Sequence, residues 1–331
     1  MRLFVVLLLI SCCGPAASAV EPLIPAIQDQ KLIYLDKTGR VSLSTDYKSG
    51  GFFQDGMARV CGAGCGYIDH AGSALFGFDY DWIGEASEGL IPFCQDSRCG
   101  FLDIKGETVI PPQFEDVQPF SEGLAGAQKN GLWGFVDKAG NWRIRPTYGR
   151  VLPFSENRAA VQSVKPPHLF ALIDKSGHVV LPFKHQMIYP FQGGRARFFH
   201  WDRFGYLNLS GAMELHASLE WAQDPVSGLS YFVHEAKQGY RAGNRIVLEL
   251  KCPGGQSFSA EAPVVARVRD CGSGLFQFIK GDGSVWKSGY AEATDFRNGY
   301  ALVRRPDEPG FVLIDAGGDE FDLDAGIMPA W

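Results

Sequence analysis

Six cysteines have the residue type and spacing for two different kinds of chemistry, zinc binding or disulfide formation. They are Cys61, Cys65, Cys94, Cys99, Cys252 and Cys271. Four thiolates spaced like those of the first two pairs are typical of a structural zinc site. In an oxidising compartment the same residues form disulfides instead. Because their positions in the repeat described below favour local pairing, we predict three disulfides and keep the four-cysteine zinc site as the alternative. The predicted pairs are Cys61–Cys65, Cys94–Cys99 and Cys252–Cys271.

Asp137 and Lys138 form an acid–base pair that could belong to an active site, in the stretch G-L-W-G-F-V-D-K-A-G. The same pattern recurs along the chain, however, and its anchor residues are Asp36, Asp69, Asp103, Asp137, Asp174, Asn208, Lys280 and Asp315. A glycine stands three residues after each anchor, such as Gly140 after Asp137. An aspartate followed by such a glycine is typical of a tight turn. We therefore predict that Asp137 and Lys138 are turn residues.

Few other side chains suggest a functional site. Trp201 has no counterpart in another copy of the repeat, so we predict a binding surface at His200, Trp201 and Arg203. The sequence contains no nucleophile–base set and no cofactor or metal motif, so we predict no catalytic residues, no cofactor and no bound metal. The alternative is an enzyme site in residues 205–270. It would need convergence of five residues, His200, His216, His234, Asp224 and Glu235.

The repeat defines the elements that position these residues. Its period is about 34 residues, and each unit has a short apolar strand before the anchor and further strands after the glycine. The sequence predicts an all-β array of about eight or nine three-stranded meanders in a curved, solenoid-like stack. The alternative is a closed β-propeller. Nine units exceed the usual range of about four to eight blades, and the units are short for four strands, so we expect the open stack.

The repeats resemble a known family. The segments W-G-F-V-D-K-A-G, I-R-P-T-Y and F-S-E-N-R-A-A-V are similar to WG (KWG) repeats, as are P-P-Q-F and F-S-E-G-L-A-G-A in the preceding unit. The resemblance runs from about Lys31 to about Asp315 and is closest in the units anchored at Asp103 and Asp137. It implies β-rich repeats and supplies no catalytic residues.

The N-terminus resembles a signal peptide. An apolar run from Leu3 to Ile10 follows Arg2, and Ala17-Ser18-Ala19 fits a cleavage site, so we predict a signal peptide at residues 1–19. A lipoprotein with its anchor at Cys12 is the alternative. We further predict a linker at 20–30, well-kept repeats at 31–204, degenerate repeats and a cap at 205–325, and a tail at 326–331.

The composition of the chain argues against a nucleic-acid-binding protein and against a membrane-spanning one. The formal net charge is −6 and both signs are dispersed, which disfavours nucleic-acid binding. After the predicted signal no segment is long and apolar enough for a membrane span. We therefore predict an exported, non-catalytic binding or scaffold protein, periplasmic or secreted, with a protein or cell-wall glycan partner. The alternative function is a secreted hydrolase-type enzyme.

Overall fold

The computed structural model describes residues 22–330, and these residues form only β-strands and connecting turns. The predicted signal peptide, its cleavage site and Cys12 lie outside the described residues. Within residues 22–330 there is no helix long and apolar enough to cross a membrane.

The described strands form nine antiparallel sheets, here called blades 1 to 9. Blade 1 contains β1 (Ile24–Gln28), β2 (Lys31–Leu35), β3 (Val41–Ser44) and β35 (Met328–Pro329); blade 2 contains β4 (Ser49–Gly50), β5 (Met57–Cys61), β6 (Cys65–Asp69) and β7 (Ala74–Phe76); blade 3 contains β8 (Trp82–Ile83), β9 (Leu90–Gln95), β10 (Arg98–Asp103) and β11 (Thr108–Phe114). Blade 4 contains β12 (Asp116–Val117), β13 (Ala125–Lys129), β14 (Leu132–Val136) and β15 (Trp142–Tyr148); blade 5 contains β16 (Arg150–Val151), β17 (Ala159–Gln162), β18 (Phe170–Ile173) and β19 (Val179–His185); blade 6 contains β20 (Met187–Ile188), β21 (Arg195–His200), β22 (Arg203–Asn208) and β23 (Met213–Leu219). Blade 7 contains β24 (Trp221–Ala222), β25 (Ser230–His234), β26 (Lys237–Ala242) and β27 (Arg245–Leu250); blade 8 contains β28 (Val265–Arg269), β29 (Phe276–Lys280) and β30 (Val285–Tyr290); blade 9 contains β31 (Glu292–Ala293), β32 (Ala301–Arg304), β33 (Phe311–Ile314) and β34 (Glu320–Asp322).

Each four-stranded blade begins with a strand of only two residues, which we call strand A, followed by strands B, C and D. The expectation of three strands per unit is therefore wrong for these blades. A two-residue strand adds almost nothing to the length of the repeat, so a unit of about 34 residues accommodates four strands. In the described chain only blade 8 lacks strand A.

The blades close into a ring, so the predicted open stack is wrong and the alternative, a β-propeller, is correct. Strand A of blade 1 is β35, which pairs with β1 through Ala26–Pro329 and Ile27–Met328. The segments predicted as linker and tail thus contain strands, because the two ends of the described chain share one sheet. Closing the ring leaves no terminal blade with an uncovered face.

The core lies between neighbouring blades. Each of the nine junctions between blades has its own apolar cluster, including the junction of blades 9 and 1, where Leu302 and Leu313 pack with Ile24 and Ala26. A single small sheet cannot bury both faces, so the repeat needs a neighbour on each side.

The recurrent aspartate–glycine motif forms the turn between strands C and D. Asp137 Oδ1 accepts hydrogen bonds from the amides of Ala139 and Asn141 at 3.0 and 2.9 Å. Gly140 has a φ of +81°, and a Cβ there would lie 3.1 Å from Ile110 Cγ2 of the preceding blade. The glycine is thus favoured both by the turn and by close approach of the preceding blade. The prediction that Asp137 belongs to a turn is confirmed.

Candidate functional site

The F-S-E motif joins successive blades through the loops between strands A and B. Ser121 Oγ donates to the carbonyl oxygen of Phe154 in the next blade, at 2.6 Å. Glu122 accepts a hydrogen bond from the amide of Asn157 at 2.9 Å and pairs with Lys175 Nζ at 3.1 Å. One blade earlier, Ser87 and Glu88 make the corresponding contacts, and Lys138 is the lysine that pairs with Glu88. These residues are therefore structural.

A second inter-blade contact pairs an arginine of strand B with an acid of the next blade. It occurs three times, as Arg59–Glu85, Arg197–Asp224 and Arg267–Asp295, with distances of 3.3, 3.0 and 2.9 Å. Each arginine also donates to a main-chain carbonyl of the next strand A. Burial raises the pKa of Asp224, and the neighbouring Arg197 opposes that rise. Asp224 is thus already engaged in joining blades 6 and 7.

The six cysteines form the three predicted disulfides. Cys61–Cys65 and Cys94–Cys99 join directly opposed residues of strands B and C. Cys252–Cys271 connects the chain after β27 to the chain after β28, in the blade that lacks strand A. No cluster of three or more potential metal-ligating side chains occurs in residues 22–330.

Trp201 lies at the tip of the turn between strands B and C of blade 6. Trp201 and Asp202 have φ values of +49° and +61°, which is the type I′ pattern. The equivalent positions in other blades hold Asp29-Gln30, Asp96-Ser97, Asn130-Gly131 and Glu235-Ala236. A bulky residue with positive φ is a costly exception, whereas Asn and Asp adopt this conformation readily. The side chain of Trp201 is nevertheless 77% exposed, so it gains little from packing.

The ring centroids of His200 and Trp201 lie 5.5 Å apart. The environment of His200 recurs in another blade, however, and that of Trp201 does not. His200 occupies the position of His234 in the next blade, and both have a buried Nδ1 without a partner in the described chain. Arg203 pairs with Glu220 at 3.2 Å, which repeats the Arg98–Glu115 contact between blades 3 and 4. Because those contacts recur, only Trp201 remains unexplained by the architecture.

Two aromatic side chains that pack against β21 or β22, the strands joined by this turn, were not part of the sequence prediction. Trp221 occupies the position that Trp82 has in blade 3; it is 49% exposed, and its ring lies 5.6 Å from Phe204. His185 is buried, and its ring lies 5.4 Å from His200. Burial, together with His200 and Lys184, lowers the pKa of His185 to about 4. We call the turn residues His200, Trp201 and Arg203, together with Trp221 at the start of blade 7, the Trp201 patch.

The five residues considered for an enzyme site are not gathered in one cleft. Asp224 precedes strand B of blade 7 and His234 ends that strand, so β25 separates them. His234 lies 4.0 Å from Glu235 at the turn, while His216 is on the outer strand β23.

A cavity of about 460 Å³ lies between the A–B loops of blades 2, 3 and 9 and the segment that precedes strand B of blade 8. Phe52 and Gln54 come from blade 2, Glu85 from blade 3, and Arg297 from blade 9. Strands A and B of blade 1 come from opposite ends of the chain, so no loop joins them beside this cavity. The opening is wide and most of its polar side chains are exposed.

Comparisons with known proteins agree with this architecture. The structure is similar to a crystal structure of a eukaryotic initiation factor, at 9% identity and a TM-score of 0.62, over 94% of this chain and 98% of that one. It is less similar to apo AztD from Citrobacter koseri, at 13% identity and a TM-score of 0.42, over 93% of this chain and 97% of that one. No curated protein sequence matches the chain. The first similarity supports the fold alone. The family described as "WG containing repeat" matches residues 66–99, 100–133, 133–163 and 170–199. Residues 66–199 of this chain are therefore four tandem WG repeats.

Proposed function

We propose that this chain is an exported, non-catalytic binding or scaffold protein that holds an envelope protein on the Trp201 patch. The observation that carries the proposal is the exposure of Trp201 in a turn whose backbone disfavours tryptophan. A residue kept at a conformational cost, without compensating packing, suggests selection for function.

The chemistry of the patch favours a protein partner. Binding energy in protein interfaces concentrates in tryptophan, tyrosine and arginine side chains that insert into the partner. Trp201 is exposed at the tip of a turn, Arg203 begins the strand that leaves this turn, and Trp221 packs against Phe204 of the same strand. A cell-wall glycan is the other partner class predicted from the sequence, and the test below distinguishes the two.

Export and the absence of catalysis are parts of the same proposal. Three disulfides support an oxidising location, periplasmic or secreted. The separation of Asp224 from His234 supports binding over a hydrolase-type site in residues 205–270.

The test is a crosslinking pull-down from envelope extract with oxidised protein comprising residues 20–331. We compare the wild type with Trp201→Asn and with Trp82→Ser, a matched control at another exposed tryptophan whose position in blade 2 holds Ser49. We expect the wild type and Trp82→Ser to retain the same protein, and Trp201→Asn to retain about tenfold less of it.

A measurement of stability distinguishes a variant that has lost binding from one that has lost its fold. Asparagine suits the positive φ of residue 201, so Trp201→Asn should raise the free energy of unfolding by about 0.5–1 kcal/mol. Urea unfolding measures this difference. Equal retention by the wild type and Trp201→Asn would contradict the binding proposal, and retention of glycan without protein would reassign the partner class.

A further inference from the structure

One pair of facing residues on strands B and C is buried and apolar in eight blades and polar in the ninth. In blade 4 it is Ala125–Val136, where Val136 directly precedes the anchor Asp137. In blade 7 the corresponding pair is Ser230–Arg241, and both residues are 5% exposed. Arg241 thus stands where every other blade buries an aliphatic side chain. The remaining apolar pairs are Ile24–Leu35, Ala58–Ile68, Ile91–Leu102, Ala159–Ile173, Ala196–Leu207, Ala266–Ile279 and Ala301–Ile314.

The buried guanidinium of Arg241 has few partners. Its Nε donates to the carbonyl oxygen of Gly243 at 2.7 Å, and its Cζ lies 5.6 Å from the centroid of the Phe232 ring. Arg241 forms no ion pair within residues 22–330. Neither Nη atom is fully enclosed, so a ligand can reach both from solvent. A buried positive charge is costly unless a negative group pairs with it.

Arg195 of blade 6 adds a second guanidinium beside the same turn. Its Nε pairs with Glu214 at 2.6 Å, and a Cβ on Gly243 would lie 2.8 Å from its Nη2. Burial and the positive charge of Arg195 both lower the pKa of Arg241. The two guanidinium groups therefore lie together at the turn between strands C and D of blade 7.

We propose that Arg241 and Arg195 bind a carboxylate group of a ligand at this turn. The planar guanidinium presents N–H groups in a fork that donates two parallel hydrogen bonds to a carboxylate. Arg195 begins β21 and Trp201 follows the end of that strand, so the carboxylate site and the Trp201 patch lie at opposite ends of the blade. The site is therefore a second binding site, additional to the proposed partner surface.

The balance of charge favours a group with a single negative charge. Glu214 neutralises Arg195, and Asp224 neutralises Arg197, the third arginine at the junction of blades 6 and 7. One positive charge remains, on Arg241. A carboxylate, with an ordinary pKa of about 4, carries one negative charge at pH 7. A phosphoryl group carries about 1.5 to 2 negative charges and would exceed the balance.

The test is urea unfolding of the oxidised protein, residues 20–331, at pH 7 in sodium chloride and in sodium acetate of the same ionic strength. A few charge-assisted hydrogen bonds correspond to a dissociation constant on the order of 10 mM for acetate. At about 100 mM acetate, the ratio of folded to unfolded wild type should therefore be about tenfold higher than in chloride. A third series in sodium phosphate tests the other oxyanion.

The double variant Ser230→Ala/Arg241→Leu gives blade 7 the alanine–leucine pair that blade 6 has at Ala196–Leu207. It should fold, and it should lose the tenfold gain in acetate. Arg143→Leu, at an exposed position of β15, is the control for removal of an arginine and should respond like the wild type. Trp201→Asn should also respond like the wild type, so the result is independent of partner binding.

Three outcomes would overturn the proposal. Equal gains for the wild type and the double variant would mean that acetate stabilises the protein without the Arg241 side chain. A wild type that is no more stable in acetate than in chloride would show that the site does not bind a carboxylate. A gain that depends on Arg241 in phosphate but not in acetate would overturn the assignment of the ligand group.

Discussion

At the scale of residues, the sequence predicts the role of a side chain whose hydrogen bonds stay within one turn. Asp137 could be assigned to a turn because its hydrogen bonds go to amides two and four residues later. The partner of Lys138 could not be predicted, because Glu88 is 50 positions away and belongs to the preceding blade. The same limit applies to the ion pair of Arg203, because its partner Glu220 is 17 positions away, at the start of the next blade.

The buried His185 should make stability dependent on pH. Its folded-state pKa of about 4 lies below the ordinary value of 6.5, so the unfolded chain binds the proton more readily. The stability contribution of neutral His185 is therefore complete above about pH 6.5 and is lost as the pH falls toward 4. Allowing for partial solvent screening, we expect a loss on the order of 1–2 kcal/mol between pH 7 and pH 5.

His185→Phe should remove that part of the pH dependence, since Phe114 occupies the equivalent position in blade 3. Urea unfolding at pH 7 and pH 5 measures it. His178→Ser, at an exposed turn position, is the control and should behave like the wild type. If His185→Phe loses as much stability on acidification as the wild type, a group other than His185 causes the pH dependence.

At the scale of elements, the apolar strands before each anchor and the strands after each glycine were predictable from their spacing. Strand A was not, because two residues such as Asp116-Val117 are too few to show alternation. In β8, β12, β16 and β24 the first residue is exposed and the second is buried, so each of these strands contributes only one buried position to the sequence pattern. The missed strand led directly to the wrong strand count.

The arginine–acid contacts between blades should differ in strength according to burial. Arg197 is 9% exposed, lies 3.8 Å from the centroid of the Tyr189 ring, and neutralises Asp224. Removing it leaves a carboxylate in a partly buried site, so Arg197→Leu should lower the free energy of unfolding by about 2–3 kcal/mol.

Arg59→Leu is the matched comparison, because the Glu85 side chain is 67% exposed and water can replace its partner. We expect a loss of about 1 kcal/mol or less for this variant. Urea unfolding of both variants at pH 7 measures the difference. Equal losses would show that burial does not set the strength of these contacts.

At the scale of the whole molecule, the repeat number was predictable and the closure was not. Whether a chain of such units closes depends on small rotations between blades and on one short strand at its end. The predicted tail at 326–331 contains β35, and the two residues of this strand are too few to carry a repeat signal. In the structure they complete blade 1, while Ile327 is 2% exposed in the cluster between blades 9 and 1.

Deleting residues 327–331 should therefore weaken the ring at the junction of blades 9 and 1. Loss of the buried Ile327 side chain alone is expected to cost about 2–4 kcal/mol, and loss of β35 adds to it. Urea unfolding and limited proteolysis measure the effect, with deletion of residues 330–331 as the control. Unchanged stability of the longer deletion would mean that β35 does not hold the ring together.

The shared sheet of blade 1 also imposes an order on folding. Among the described strands, B, C and D of this blade are synthesised first and β35 is synthesised last, so blade 1 cannot be completed until the other eight blades have been made. Ile24 and Ala26 have their apolar partners in blade 9, so they stay uncovered until nearly the whole chain is present. Successive blades can pack onto one another as they are synthesised, but the junction between blades 9 and 1 can form only at the end. A newly made chain therefore passes through a stage with two unprotected faces, during which it depends on chaperones or on rapid completion.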